Sequence, residues 1–282
     1  MSTANPETTR AARAMLGPMT TRMPTAFVPH GGGPWPLLPL PGADPDEAAP
    51  LRAYMASISD VPRPTALLVV SAHWEEPEFT VNTGAAPGLL YDYGGFPPEA
   101  YRLQWPAAGA PELAEQVRDL LSGAGLDSRA DATRGFDHGV FIPLLPAWPN
   151  ADMPVVQVSL KRGLDPGAHL ALGRALAPLR DAGVHILGSG NSFHNLGAFA
   201  SPDPRVVAAA EAFDAWLAEA VASANRADLL TAWTEAPHAR FCHPREEHLL
   251  PLMVVAGAAT EPGRVQWSGQ MFGKRVSAHH FG

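Results

Sequence analysis

Cysteine is almost missing from this chain: Cys242 is the only one. That excludes an intrachain disulfide and a thiolate zinc cluster, and a reducing, cytoplasmic setting is the simplest expectation. Basic runs are scarce too. No stretch of Lys and Arg exceeds a pair, and 20 basic against 28 acidic residues leave a net charge of −8, so the phosphate-tracking surface of a nucleic-acid binder is not expected. Nothing in the sequence approaches the roughly 20 consecutive apolar residues of a membrane span. The N-terminal stretch holding Arg10, Arg13 and Arg22 has no apolar core of signal-peptide length. Neither a nucleic-acid nor a membrane partner is expected, while self-association into a homo-oligomer is compatible with the sequence.

Apolar residues are plentiful, at 46% of 282, enough for the buried core of one large domain. Thirty prolines and 26 glycines are scattered rather than gathered into a linker, and no internal repeat is visible. Residues 1–22 lack an apolar period and read as a partly disordered leader, with 23–282 as one domain. TAFVPH, TALLVVSAHW (Thr65 to Trp74), MPVVQVSL (Met153 to Leu160) and VHILGSG (Val184 to Gly190) are short, β-branched runs that predict buried strands. PELAEQVRDLLSGAG opens with Pro111 at a first-turn position and stops at glycine, and Pro166 to Gly183 repeats that punctuation. VVAAAEAFDAWLAEAVA and REEHLLPLMVVAGAA are further helices by the same reading. Strand and helix alternate, which predicts an α/β fold: a central mixed or parallel sheet with helices on both faces. Ligands of such sheets sit beyond the carboxyl ends of the strands.

That rule gives the histidines meaning. His30 ends the first predicted strand, His73 the second, and His194 in GSGNSFHNL follows the strand from Val184, so all three are expected at one rim. His138 sits in a loop, GFDHGVFIPL, and His248 in HPREEHLLPLM at the first turn of a helix. A lone histidine at a strand end is more often a hydrogen-bonded loop residue than a ligand; repetition at one rim favours a site. His169, inside a helix, and His185, inside a strand, read as structural, while His238, His243, His279 and His280, near loops or the terminus, are compatible with solvation and are assigned no role.

The string HGGG after a strand also opens the oxyanion loop of some lipases. Acyl transfer on that fold needs G-x-S-x-G, and no serine here has glycine at both flanking positions; Gly190-Asn191-Ser192-Phe193-His194 comes nearest. A metal site fits better, because imidazole binds zinc, iron and copper, and a catalytic site takes three protein ligands with a position left open. His30, His73 and one group from Glu246, Glu247 and His248 make such a set. A carboxylate as third ligand gives the facial triad of non-haem iron oxygenases, and His248 gives a three-histidine site that also suits zinc. The glycines after His30 would then let a flat substrate approach against bare backbone.

VPHGGGP, VVSAHW, GFDHG, PVVQVSL, GSGNSFHN and PREEHLLPL, in that order from Pro29 to Leu252, resemble the class III extradiol ring-cleavage dioxygenases of the LigB superfamily, in the DOPA 4,5-dioxygenase-like branch. The resemblance implies His30, His73 and His248 as metal ligands, with Glu247 matching a glutamate ligand of the wider superfamily. It implies His194 as acid/base and His138 as a catalytic residue of the outer pocket. The implied chemistry is Fe(II)-dependent cleavage of a catechol ring beside its diol by O2, and the implied partners are a small aromatic diol and O2. Histidine suits a reaction that needs a base and then an acid. Zn(II) fits the same ligands but has no redox couple, so a zinc-dependent hydrolase, or a non-catalytic metal-binding homologue, is the alternative. Trp74, Tyr91, Tyr93, Phe96 and Phe193 lie beside these motifs and are expected to be core more than substrate contacts; Met271 is expected to be packing.

Overall fold

A computed structural model describes residues 22–40 and 43–282. The leader assigned to residues 1–22 lies outside the described residues except for Arg22, which is paired with Asp181 at 2.8 Å. One hydrophobic core runs from Ala26 to Phe281.

The four runs predicted as strands form the centre of an eight-stranded sheet. They are β1 (Thr25–Pro29), β2 (Ala66–Glu76), β5 (Val155–Lys161) and β6 (Val184–Gly190), with β3 (Phe79–Asn82) and β4 (Ser128–Asp131) between β2 and β5 in sequence. With β7 (Gly263–Met271) and β8 (Lys274–Phe281) the order is β4-β3-β5-β2-β6-β1-β8-β7. Strands β5, β2, β6 and β1 are mutually parallel. They are covered on both faces, which is why they read as continuous apolar runs rather than alternating ones. Strand β8 joins antiparallel to β1, and β3 antiparallel to β5, making the sheet mixed.

The long helices are α1 (Pro45–Ser57), α2 (Pro111–Gly123), α3 (His138–Ala147), α4 (Pro166–Leu176), α5 (Pro204–Ala222) and α6 (Leu250–Ala258). Asp44, Asp165 and Asp203 each cap a helix that begins with proline: their side chains accept from Asp46 N, Ala168 N and Arg205 N. Neighbouring residues of β6 show the layering. A Cβ on Gly188 would lie 2.3 Å from the Pro251 carbonyl oxygen of α6, whereas the hydroxyl of Ser189 donates to the Gly139 carbonyl of α3. Successive strand residues point to opposite faces, so α6 and α3 cover opposite sides of the sheet. At the end of β6 the His248 carbonyl oxygen comes within 2.1 Å of where a Gly190 Cβ would be; only glycine lets this segment sit on the strand end.

Several sequence expectations are corrected. The helix expected from Pro166 to Gly183 stops at Leu176 and restarts as a short piece, Pro178–Asp181, because Pro178 has no N–H to continue the ladder. The helix expected through REEHLLPLM begins only at Leu250, with Pro251 in its first turn. Residues before it form a turn in which the Glu246 carbonyl accepts from Leu249 N and Leu250 N, and His248 lies on that turn. His73 lies inside β2 rather than at its end, where the pairing with β5 slips between Val70 and Glu75. His138 is the first residue of α3, not a loop residue. The hairpin β7-β8 was not anticipated, and it buries His279 and His280, while His243 is buried beneath Ser192, whose carbonyl it contacts at 3.0 Å. His280 Nε2 meets the Tyr54 hydroxyl at 2.9 Å and His279 Nε2 the Ser277 hydroxyl at 3.0 Å. Only His238 of that group is exposed. His169 and His185 are structural: the first meets Lys161 N, the second the Pro24 carbonyl. Among the described residues no helix is long and apolar enough to cross a membrane.

Candidate metal centre

Strands β1 and β6 end in register, Pro29 opposite Gly190, and Ser71 of β2 pairs with Ser189. His30 therefore leaves the sheet beside the Ser71–Trp74 bulge of β2, and the turn carrying His248 rests on the same end of β6. Three imidazoles converge there. His73 Nε2 lies 3.1 Å from His30 Nε2 and 3.3 Å from His248 Nε2.

Their other ring nitrogens decide where the protons are. His30 Nδ1 is 3.0 Å from Ser189 Oγ. The Ser189 proton is already given to the Gly139 carbonyl, so its oxygen accepts from His30 Nδ1–H. His248 Nδ1 donates to Glu247 Oε1 at 2.8 Å, and His73 Nδ1 faces Asp92 Oδ2 at 3.5 Å. With the protons on Nδ1, all three Nε2 atoms present lone pairs to one another. Burial, followed by the neighbouring imidazoles, holds His30 and His248 well below the ordinary histidine range. Burial and His138 bring His73 down to about 4. Neutral rings with lone pairs in mutual contact repel unless a cation stands among them. Ligands about 2.1 Å from a shared ion are roughly 3.0 Å apart at right angles and 3.4 Å apart at tetrahedral angles, and the two measured contacts fall in that interval. The donor set fits a divalent metal.

Two further imidazoles flank the trio, each tied to a ligand candidate by one carboxylate. Asp92 Oδ1 accepts from His138 Nδ1 at 2.7 Å and from its backbone N at 3.0 Å, while Oδ2 faces His73. Glu247 Oε1 accepts from both His248 and His194, the latter at 3.1 Å. The His194 ring stacks on His248 with centroids 3.3 Å apart and an interplanar angle of 17°. Burial alone would raise both carboxyls, but the hydrogen bond from His138 carries Asp92, and that from His194 carries Glu247, below the ordinary range. Both are carboxylates that fix the tautomers of their histidines. Ligand atoms of His30, His73 and His138 lie within 4.8 Å of one another, as do those of His194, Glu247 and His248. The short Nε2 contacts join the two groups through His73. Glu247 spends the oxygen it directs toward the site on two Nδ1–H groups, which favours His248 over Glu247 as the third donor.

The five histidines floor a cavity of about 400 Å³ whose walls are Gly31 to Gly33, Leu40, Phe96, Leu196, Phe199, Met271 and Phe272. The glycines divide their work. Gly31 has φ +82° and a Cβ there would lie 2.1 Å from the Trp35 carbonyl oxygen; at Gly33 it would lie 2.6 Å from the Phe96 ring. Gly32 alone opens onto free space, with nothing within 4 Å of a Cβ. Of the aromatics singled out in sequence, only Phe96 lines the cavity. Trp74 is buried under Arg134, Phe193 is core, and Tyr91 and Tyr93 donate to the Leu103 and Ala100 carbonyls. Met271, expected to be packing, is a wall residue.

This centre has relatives. Residues 43–278 match the family model described as the catalytic LigB subunit of aromatic ring-opening dioxygenase. A protein of Beta vulgaris named 4,5-DOPA dioxygenase extradiol is 37% identical over 254 residues, covering 87% of this chain and 92% of its own. One of the same name from Escherichia coli (strain K12) is 34% identical over 262 residues, covering 89% and 88%. Dioxygenase tasH of Hapsidospora irregularis is 37% identical over 288 residues, covering 93% and 87%. The crystal structure of uncharacterized protein JW3007 from Escherichia coli K12 superposes with a TM-score of 0.75 at 30% identity, over 93% of this chain and 100% of that one. The chain belongs to the LigB family and is an extradiol ring-cleavage dioxygenase of class III. Within it, the chain falls in the DOPA dioxygenase-like branch.

Proposed function

We propose that the chain opens the ring of a catechol with O2, using iron(II) held by His30, His73 and His248. The observation that carries this reading is the convergence of three Nε2 lone pairs whose Nδ1 protons are all directed away from the cavity. Iron(II) bound there would supply the redox centre that brings dioxygen and an aromatic diol into reaction. Zinc, with no redox couple, would not.

The remaining work belongs to side chains. Glu247 holds the Nδ1 proton of His194, so His194 Nε2 is free to take a proton from a diol hydroxyl and later return it as the ring opens. His138, held by Asp92 on the other flank, offers a second acceptor at the opposite edge of the cavity. Gly32 leaves room for a flat ring, and the apolar walls keep bulk water from the opening ring.

Anaerobic reconstitution with iron(II), followed by oxygen uptake with a panel of catechols, tests the reading. The expected result is oxygen consumption with a yellow ring-opened product. No uptake with any catechol, together with ester or amide cleavage by a zinc form, would replace it with a metal-dependent hydrolase.

A further inference from the structure

The cavity has a polar floor and a wall of one kind. Above the five imidazoles stand Leu40, Phe96, Leu196, Phe199, Met271 and Phe272, brought from four separate segments. Among the described residues no charged side chain other than histidine lines it. The cations that border the site are already engaged. Arg245 pairs with Glu75 and Glu247, and Arg134 donates to Asp137 Oδ2 and the His73 carbonyl. Lys274 is the telling case. Its ammonium gives all three N–H bonds to carbonyls, those of Phe199 at 2.7 Å, Ser201 at 2.6 Å and Phe272 at 2.8 Å. Two of these acceptors belong to wall residues whose rings meet edge to face at 5.6 Å. Glu47 fixes the same hairpin by accepting from Phe272 N and Gly273 N. This cation is therefore used to hold the backbone that carries the wall's aromatic side chains. Beside them Leu196, 75% exposed, leaves apolar surface open at the mouth.

From this wall we infer that the substrate is a catechol whose ring substituent is apolar and uncharged, such as an alkyl or aryl group, rather than one bearing an amino-acid or carboxylate side chain. The inference rests on the catechol reading of the metal centre and deepens it. The histidine floor takes the diol, and the substituent runs along Phe199, Phe272 and Leu196. A carboxylate brought against that wall would lose water and find no donor. Each methylene laid on it should tighten binding by roughly two- to fourfold.

Anaerobic titration of the iron(II)-loaded protein, followed by tryptophan fluorescence, tests this without turnover. The ligands are catechol, 4-methyl-, 4-propyl- and 4-pentylcatechol, 3,4-dihydroxyphenylacetate and 3,4-dihydroxyphenylalanine. The expected result is a Kd that falls by about two- to fourfold per methylene along the alkyl series, with both charged ligands weaker than catechol itself. A flat alkyl series, or a charged ligand binding as tightly as 4-propylcatechol, would overturn the inference while leaving the catechol reading standing, provided catechol binds and is consumed with oxygen. If catechol does neither, both readings fall. Leu196→Arg adds a check that does not endanger folding, because Leu196 is exposed. It should shift the preference toward 3,4-dihydroxyphenylacetate by about two- to fivefold, the worth of one solvent-screened ion pair. An unchanged ratio would also count against the wall as the specificity element.

Discussion

Glu247→Gln isolates the charge of a carboxylate that positions two histidines. Both Nδ1–H donors, His248 at 2.8 Å and His194 at 3.1 Å, meet the same oxygen, Oε1. A glutamine can put its carbonyl oxygen there, so both bonds survive in geometry and lose only their charge assistance. A charged acceptor is worth about 1 kcal/mol more than a neutral one per bond. Of the two, only the bond to His248 supports a ligand, so metal affinity should fall by about 1 kcal/mol, or roughly fivefold, while the bond to His194 bears on proton transfer rather than on metal. Glu247→Ala, which removes both bonds and frees both rings to turn, should lose more. Competition for Zn2+ against a chromophoric chelator at neutral pH measures the affinity directly, and circular dichroism confirms the fold. Affinity within twofold of wild type in Glu247→Gln would refute the orienting role. Loss of metal as complete as in His248→Ala would make Glu247 a ligand instead.

Three further outcomes are expected. His194→Phe should keep its metal and fold while single-turnover rate falls by about 10²- to 10⁴-fold; undiminished turnover would reject the acid/base role, and lost metal would make His194 a ligand. Gly31→Ala should destabilise by at least ~2 kcal/mol in urea unfolding, since φ +82° and the Trp35 carbonyl both oppose a Cβ, whereas Gly32→Ala should stay within about 0.5 kcal/mol; equal losses would contradict this division of the glycines. Burial alone would raise the carboxyl of Glu261, but backbone amides and the buried Arg180 guanidinium hold it down to about 2. A carboxyl depressed on folding adds stability that is present above its unfolded pKa and is lost as pH falls toward the folded value. Thermal midpoints between pH 5 and pH 2 should therefore fall more steeply in wild type than in Glu261→Gln, and parallel curves would count against it.

The sheet's centre was legible because β1, β2, β5 and β6 are buried on both faces, so burial is written into consecutive residues. The histidines were legible because strand ends share a rim, which makes His30 and His194 informative from the sequence alone. The hairpin β7-β8 was not. β7 is a solvent-facing edge whose residues are mostly exposed or half-buried, and β8 mixes Lys274, Arg275 and two histidines into a buried strand, so neither carries a clean period. Asp92 lies between two tyrosines in a segment without regular structure, and its role exists only through contacts with His73 and His138. The cavity wall escaped for the same reason. Leu40, the short helix Leu196–Phe199 and the Met271–Phe272 turn are three separate places in the sequence, and an apolar residue facing a cavity looks, in sequence, like one facing a core. Within the GGG string, a Cβ on Gly31 or Gly33 would meet the Trp35 carbonyl or the Phe96 ring, and only Gly32 of the three opens onto free space.

Metal content of four single variants tests the central claim most directly. Elemental analysis of purified His30→Ala, His73→Ala, His248→Ala and His138→Ala, each loaded and desalted alongside wild type, reads which imidazoles hold the ion. One metal per chain is expected in wild type and His138→Ala, and large losses in the other three. Full metal in His248→Ala with loss in His138→Ala would contradict it, and would move the site to His30, His73 and His138.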